Sequence, residues 1–182
     1  VSFPYRIARN RGRITYQAGS VVAHLQGFAG TYAVRIDGEI ARPGANWTGS
    51  VEARTDAPMP IDSRLIAALP EATQRVAQEM QPRGLVNLAG RFSRQNPQQP
   101  LSIQIGVDVT QGEMIYKGFP YPLANIRGRM ECVDGSWRFL NFSGTSGATQ
   151  VTAYGQWSTH PTTGGELSLA FLAKQVELNA SL

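Results

Sequence analysis

One cysteine, Cys132, and two histidines, His24 and His160, are the only thiol and imidazole side chains in the sequence. A single thiol excludes any disulfide framework within the sequence. It also leaves a zinc site dependent on carboxylates, and no metal-ligand spacing is present. Charged residues make up 16% of the chain, below the roughly 25% usual in soluble domains. Lysine is almost missing: two lysines stand against fifteen arginines. No apolar run approaches the roughly 18 to 20 residues of a membrane-spanning helix. There is no phosphate-binding loop, no dinucleotide glycine fingerprint and no nucleophile elbow. Carboxylates are scattered singly, although a distant pair such as Asp108 and Glu131 could still meet in space. No enzyme, cofactor or metal is expected.

What is present is 42% hydrophobic residues and 19 glycines in 182 positions. That suffices for one domain or pieces of two, and it argues against disorder. Arginine is spread along the chain with one local cluster at Arg6, Arg9, Arg11 and Arg13. A nucleic-acid binder concentrates such charge on one face or helix, so no nucleic-acid partner is expected.

The main organising feature is a repeat. FPYRIARNRGRITYQAGS begins at Phe3 and FPYPLANIRGRMECVDGS at Phe119; shifted by 116 positions, nine residues coincide. After a single-residue insertion in the second copy, Gly27, Gly30, Val34 and Gly38 match Gly144, Gly147, Val151 and Gly155. That makes thirteen identities in 36 residues, against about two by chance at ordinary composition. The insertion would turn every later side chain to the opposite face unless a bulge or turn absorbs it. The expected organisation is a first unit over residues 1–118, with strands over 1–58, a helix over about 62–81 and strands over 84–118. Residues 119–182 form the first half of a second unit. The chain, starting at Val1, is expected to be a piece of a longer array.

Most of each unit alternates with period two, as half-buried strands do. Val34, Ile36 and Ile40 share one face while Arg35, Asp37 and Glu39 share the other. The second copy repeats this with Val151 and Trp157 against Thr152 and Gln156. Ile103, Ile105, Val107 and Val109 alternate with Gln104, Gly106, Asp108 and Thr110, and Val86, Leu88 and Phe92 form a shorter run. Leu167, Leu169 and Phe171 face one way near the end. One segment reads as helix: Asp62 is the expected N-cap, Leu65, Ile66, Leu69, Val76 and Met80 recur at helical spacing, Pro70 opens a separate piece, and Pro82 and Gly84 end it. The predicted fold class is therefore mainly β with one helical segment, an antiparallel twisted sheet.

A sheet with one apolar face must cover it, and a single helix of about 18 residues, some 27 Å long, cannot cover several strands. Either the strands close into a sandwich, or the apolar face curls into an open groove that carries an apolar ligand. Repetition favours the groove, because stacked units extend one continuous surface.

At these residues a family resemblance enters. The alternating strands, the repeated order Phe-Pro-Tyr, Arg-Gly-Arg, Gly-Ser, and the stretch PIDSRLIAALPEATQRVAQEMQPRGLVNLAGRF together resemble the long repetitive envelope proteins of the AsmA-like superfamily, which includes the TamB and YhdP groups. The likeness is greatest to the large planctomycete-type members. The resemblance implies a repeating β-groove lined with apolar side chains, held at the inner membrane by an anchor outside this sequence and crossing the periplasm. The implied role is phospholipid transport toward the outer membrane.

The expected lining is Val34, Ile36, Ile40, Val86, Leu88, Phe92, Ile103, Ile105, Val107, Val109, Val151, Trp157, Leu167, Leu169 and Phe171. Its expected partners are phospholipid acyl chains and adjacent repeats of the same parent chain. Nonspecific burial, worth about 0.8 kcal/mol per methylene, would let an acyl chain slide without a single strong site. The alternative is a structural spacer or an adhesion-type β-sandwich in which the same residues form a closed core.

Overall fold

The computed structural model describes residues 6–69, 71–116, 119–158 and 165–175. The Phe3-Pro4-Tyr5 motif, His160 and Leu182 lie outside the described residues, as do the side chains of Phe119, Pro120, Tyr121 and Val76.

Among the described residues, eleven strands and two helices follow one another as β1 (Ile7–Gln17), β2 (Ser20–Ala29), β3 (Tyr32–Ala41), β4 (Thr48–Thr55), β5 (Met59–Pro60), α1 (Ser63–Ala67), α2 (Glu71–Met80), β6 (Arg83–Arg94), β7 (Ser102–Tyr116), β8 (Phe119–Val133), β9 (Ser136–Ser146), β10 (Thr149–Ser158) and β11 (Glu166–Lys174). All strands belong to one antiparallel sheet in the order β1-β2-β3-β4-β6-β7-β8-β9-β10-β11, and β5 pairs with β6 beside β4. The sheet is a meander curled as an open groove, not closed into a barrel. Period-two patterning and short turns favour this: apart from the step from β4 to β6, which spans β5 and both helices, each long strand pairs with the next in sequence.

The two copies of the sequence repeat adopt the same local devices. Ala18 and Gly19 form the β1–β2 turn at φ 51° and 81°, and Asp134 and Gly135 form the β8–β9 turn at 49° and 89°. Both are two-residue hairpin loops with left-handed central residues. A bulge between Ala8 and Arg11 in β1, with Arg9 at φ 54°, recurs between Ala124 and Arg127 in β8, with Asn125 at φ 53°. The inserted residue of the second copy is also absorbed by a bulge. Asn141 stands at φ 52°, and the three residue steps of β9 from Phe139 to Phe142 lie opposite only two of β10, from Gly155 to Ala153. Side chains beyond it therefore return to their expected face.

The helical segment expected over about 62–81 divides into two short helices, with the break at the position where Pro70 was expected to open a separate piece. Proline at position 70 lacks an N–H and disfavours helical backbone at Leu69, and the first helix tightens to a close with the Leu69 amide donating to the Ile66 carbonyl. Asp62 caps α1 as expected, its side chain accepting from the Leu65 amide at 2.8 Å. This hairpin of helices lies on one face of the sheet, where Leu65 joins Met59, Val86 and Val107 in the buried core. Tyr32, Leu88, Ile105, Val109, Met130 and Trp137 pack around that core half-buried.

Candidate functional site

The register determines which side chains share a face, because residues directly opposite on neighbouring strands project the same way. Ile36 stands opposite Ala53, which stands opposite Gly90, followed by Ile105, Cys132 and Trp137. The series continues through Trp157 to Leu167 at the last strand. Val51, Phe92 and Ile103 form a parallel series beside it. By the same pairings all fifteen residues expected to line a groove lie on one face of the sheet. That face crosses ten strands, roughly 40 Å at about 4.8 Å per strand.

The face is not uniform. Val86 and Val107 are closed beneath the helices at 1% and 8% exposure. The expectation that they line an open surface is corrected: they belong to an ordinary core, because α1 docks Leu65 on them. Val34 is buried too, at 6%. Ile36, Ile40, Leu88, Phe92, Ile103, Ile105, Val109, Val151, Trp157 and Leu169 are half-buried, and Leu167 and Phe171 are exposed. Leu88, Ile105 and Val109 border the helix-covered core. No second sheet lies over the remainder among the described residues. An uncovered apolar strip therefore runs past the helices from Ile36 and Ile40, through Val51, Phe92 and Ile103, to Trp157 and β11.

Several members of this face escaped sequence reasoning. Ile14 and Tyr16 on β1, Val21 and Leu25 on β2, Val51 on β4, Met130 on β8, and Trp137 and Phe139 on β9 project with the fifteen. The available signal was the repeat itself, since Ile14 and Val21 occupy the positions of Met130 and Trp137.

The opposite face is wet. His24 Nδ1 lies 2.8 Å from Asp37, and Arg91 donates to Glu52 at 3.0 Å. Arg129 donates to both oxygens of Asp108, at 3.0 and 3.1 Å, and to Glu131 at 2.7 Å. Asp108 and Glu131 thus meet around one guanidinium, as an ion-pair cluster and not as a paired-carboxylate site. The hydrogen bond to Glu131, then that to Asp108, holds Arg129 above the ordinary arginine value, which strengthens a charge already permanent at neutral pH. His24 is a strand residue on this face, as expected.

Two shallow depressions, of about 380 and 420 Å³, lie on the wet side. Charges of both signs line them, including Glu52, Arg91, Arg129 and Glu131 in the first and Arg11, Arg35 and Asp37 in the second. Among the described residues no group of three His, Cys, Asp or Glu side chains is placed to hold a metal ion. Among the described residues no helix is long and apolar enough to cross a membrane. Cys132 is buried against the apolar face, and burial pushes its thiol above the ordinary value. No protein-family model, characterised protein or solved structure matches the chain significantly.

Proposed function

We propose that this sheet is a segment of a lipid-conducting β-groove, whose apolar face takes phospholipid acyl chains while its wet face meets solvent. The observation that carries this reading is the continuity of the apolar face across ten strands, whose centre alone is covered by the helical hairpin among the described residues. A closed single-domain core would hide most of its large apolar side chains. Here Phe171 is 58% exposed and Leu167 40%, and contiguous apolar surface of this kind marks an interaction site. The alternation also fits conduction better than tight binding: the lining is aliphatic and aromatic, and Arg94, which shares the face beside Phe92, is engaged by the Ala45 and Trp47 carbonyls. In the same proposal the parent protein works in the periplasm, anchored at the inner membrane, and moves phospholipid toward the outer membrane without catalysis.

A second reading, a structural spacer, draws support from the closed core of Met59, Leu65, Val86 and Val107, which stabilises the sheet without any ligand. Lipid analysis separates the two. Phospholipid extracted from the purified protein and measured by mass spectrometry is expected to fall when Leu167 and Phe171 are changed together to Asp. Tyr154→Asp, at an exposed position on the wet face, is expected to leave it unchanged. Both substitutions fall on exposed positions, so circular dichroism should stay native. Absence of lipid from the unsubstituted protein, or equal lipid in both variants, would support the spacer.

A further inference from the structure

The strand β1 pairs only with β2 among the described residues, so its other edge carries unpaired backbone donors and acceptors. Its internal counterpart, β8, occupies the equivalent place in the second copy and is paired on both sides, with β9 and with β7. The counterpart therefore displays what a filled β1 edge looks like. Across β7 and β8, Cys132 stands opposite Ile105, Met130 opposite Val107, Arg129 opposite Asp108 and Gly128 opposite Val109. Moved back by 116 positions, those four places on β8 become Tyr16, Ile14, Arg13 and Gly12 on β1.

The exposures differ as a missing neighbour would make them differ. Cys132 is 5% exposed, whereas Tyr16 is 68% exposed; Met130 is half-buried, whereas Ile14 is 64% exposed. Arg129 is held by the carboxylate of β7, and Arg13 faces no such strand among the described residues. Charged residues on an edge can by themselves discourage pairing. Here, however, the arginine sits at the register position where the filled edge uses an ion pair, and the apolar side chains beside it sit where the filled edge packs.

We propose that the free edge of β1 is a docking site for an antiparallel strand with the side-chain order of β7, supplied by another unit of the same repeat and placing a carboxylate opposite Arg13. Main-chain hydrogen bonds provide the affinity, as in other strand additions, while the apolar alternates meeting Ile14 and Tyr16 and the carboxylate meeting Arg13 fix the register. The inference rests on the sheet register and the repeat, independently of whether the apolar face carries lipid.

The test uses the full 182-residue chain and a capped, fluorescent peptide of residues 101–111. By anisotropy the peptide should bind, and Arg13→Glu in the protein or Asp108→Lys in the peptide should each weaken binding about two- to fivefold, the scale of an exposed ion pair. Combining the two reversals should restore it. Hydrogen exchange on the bound protein should slow in β1 and not in β11. No binding, indifference to the charge exchange, or protection at β11 in place of β1 would overturn the proposal. Arg13 is exposed at an edge, so the variant is expected to keep the native circular dichroism, which the same samples report.

Discussion

Trp137 and Trp157 stand directly opposite each other across β9 and β10, on the same face as Cys132 and Leu167. Neither ring closes a core between two layers. Trp137 reaches the edge of the helix-covered cluster, and Trp157 continues the uncovered part of the face toward β11. The pair marks the boundary between what holds the fold together and what the fold leaves open, and stability and ligand binding should respond to different residues on either side of it.

Stability should depend on the covered centre. Met59 is 2% exposed and packs with Leu65, Val86 and Val107. Met59→Ala is expected to cost about 2 to 5 kcal/mol, the range for emptying a buried methionine site. Ile14→Ala, at 64% exposure on the free edge, should change stability by less than about 0.5 kcal/mol. Urea unfolding followed by circular dichroism compares the two directly.

Cys132 should report the same centre chemically. Burial is the largest cause of its raised thiol, with the Asp134 charge adding to it and a backbone hydrogen bond from Gly135 opposing it. Little thiolate is present at mildly alkaline pH, so a disulfide reagent should modify the native protein slowly and the urea-unfolded chain quickly. The unfolded thiol ionises first as pH rises through its ordinary value of 9.0. Stability should therefore be unaffected by this group below that value and decline above it. A Cys132→Ser variant should lack this alkaline decline.

The bulge at Asn141 should be dispensable. The strand β2 covers the corresponding positions without an extra residue, and Asn141 holds a left-handed backbone at φ 52°. Removing it leaves Trp137, Phe139, Phe142 and Gly144 alternating cleanly onto the apolar face. The deletion variant is expected to keep the strand signal in circular dichroism and to unfold in a single transition. A collapse of that signal would show that the bulge positions something beyond the register.

The mainly β class, the N-cap at Asp62 and the face shared by the fifteen apolar residues were legible because period-two alternation and cap chemistry are local. The helix break was legible too, from one proline. The burial of Val86 and Val107 was not, because it depends on where the helical hairpin docks, and nothing in the spacing of Leu65 says which strands it meets. The strands β1 and β2 hid their apolar sides for another reason. Gly12, Gly27 and Gly38 occupy dry positions, and Arg11 and Arg13 dominate the pattern of β1. Only the pairing register shows that Ile14, Val21 and Leu25 belong to the same surface as Trp157.

The central claim, that the uncovered apolar strip receives acyl chains, is tested most directly by tryptophan quenching. In a Trp47→Phe background only Trp137 and Trp157 fluoresce, and both lie on that face. Phosphatidylethanolamine carrying a nitroxide midway along an acyl chain should quench them strongly, and the same lipid with the nitroxide on its headgroup should quench them weakly. Phe171→Asp, further along the strip, should reduce the acyl-chain quenching. Equal quenching by the two labels, or none by either, would contradict the account.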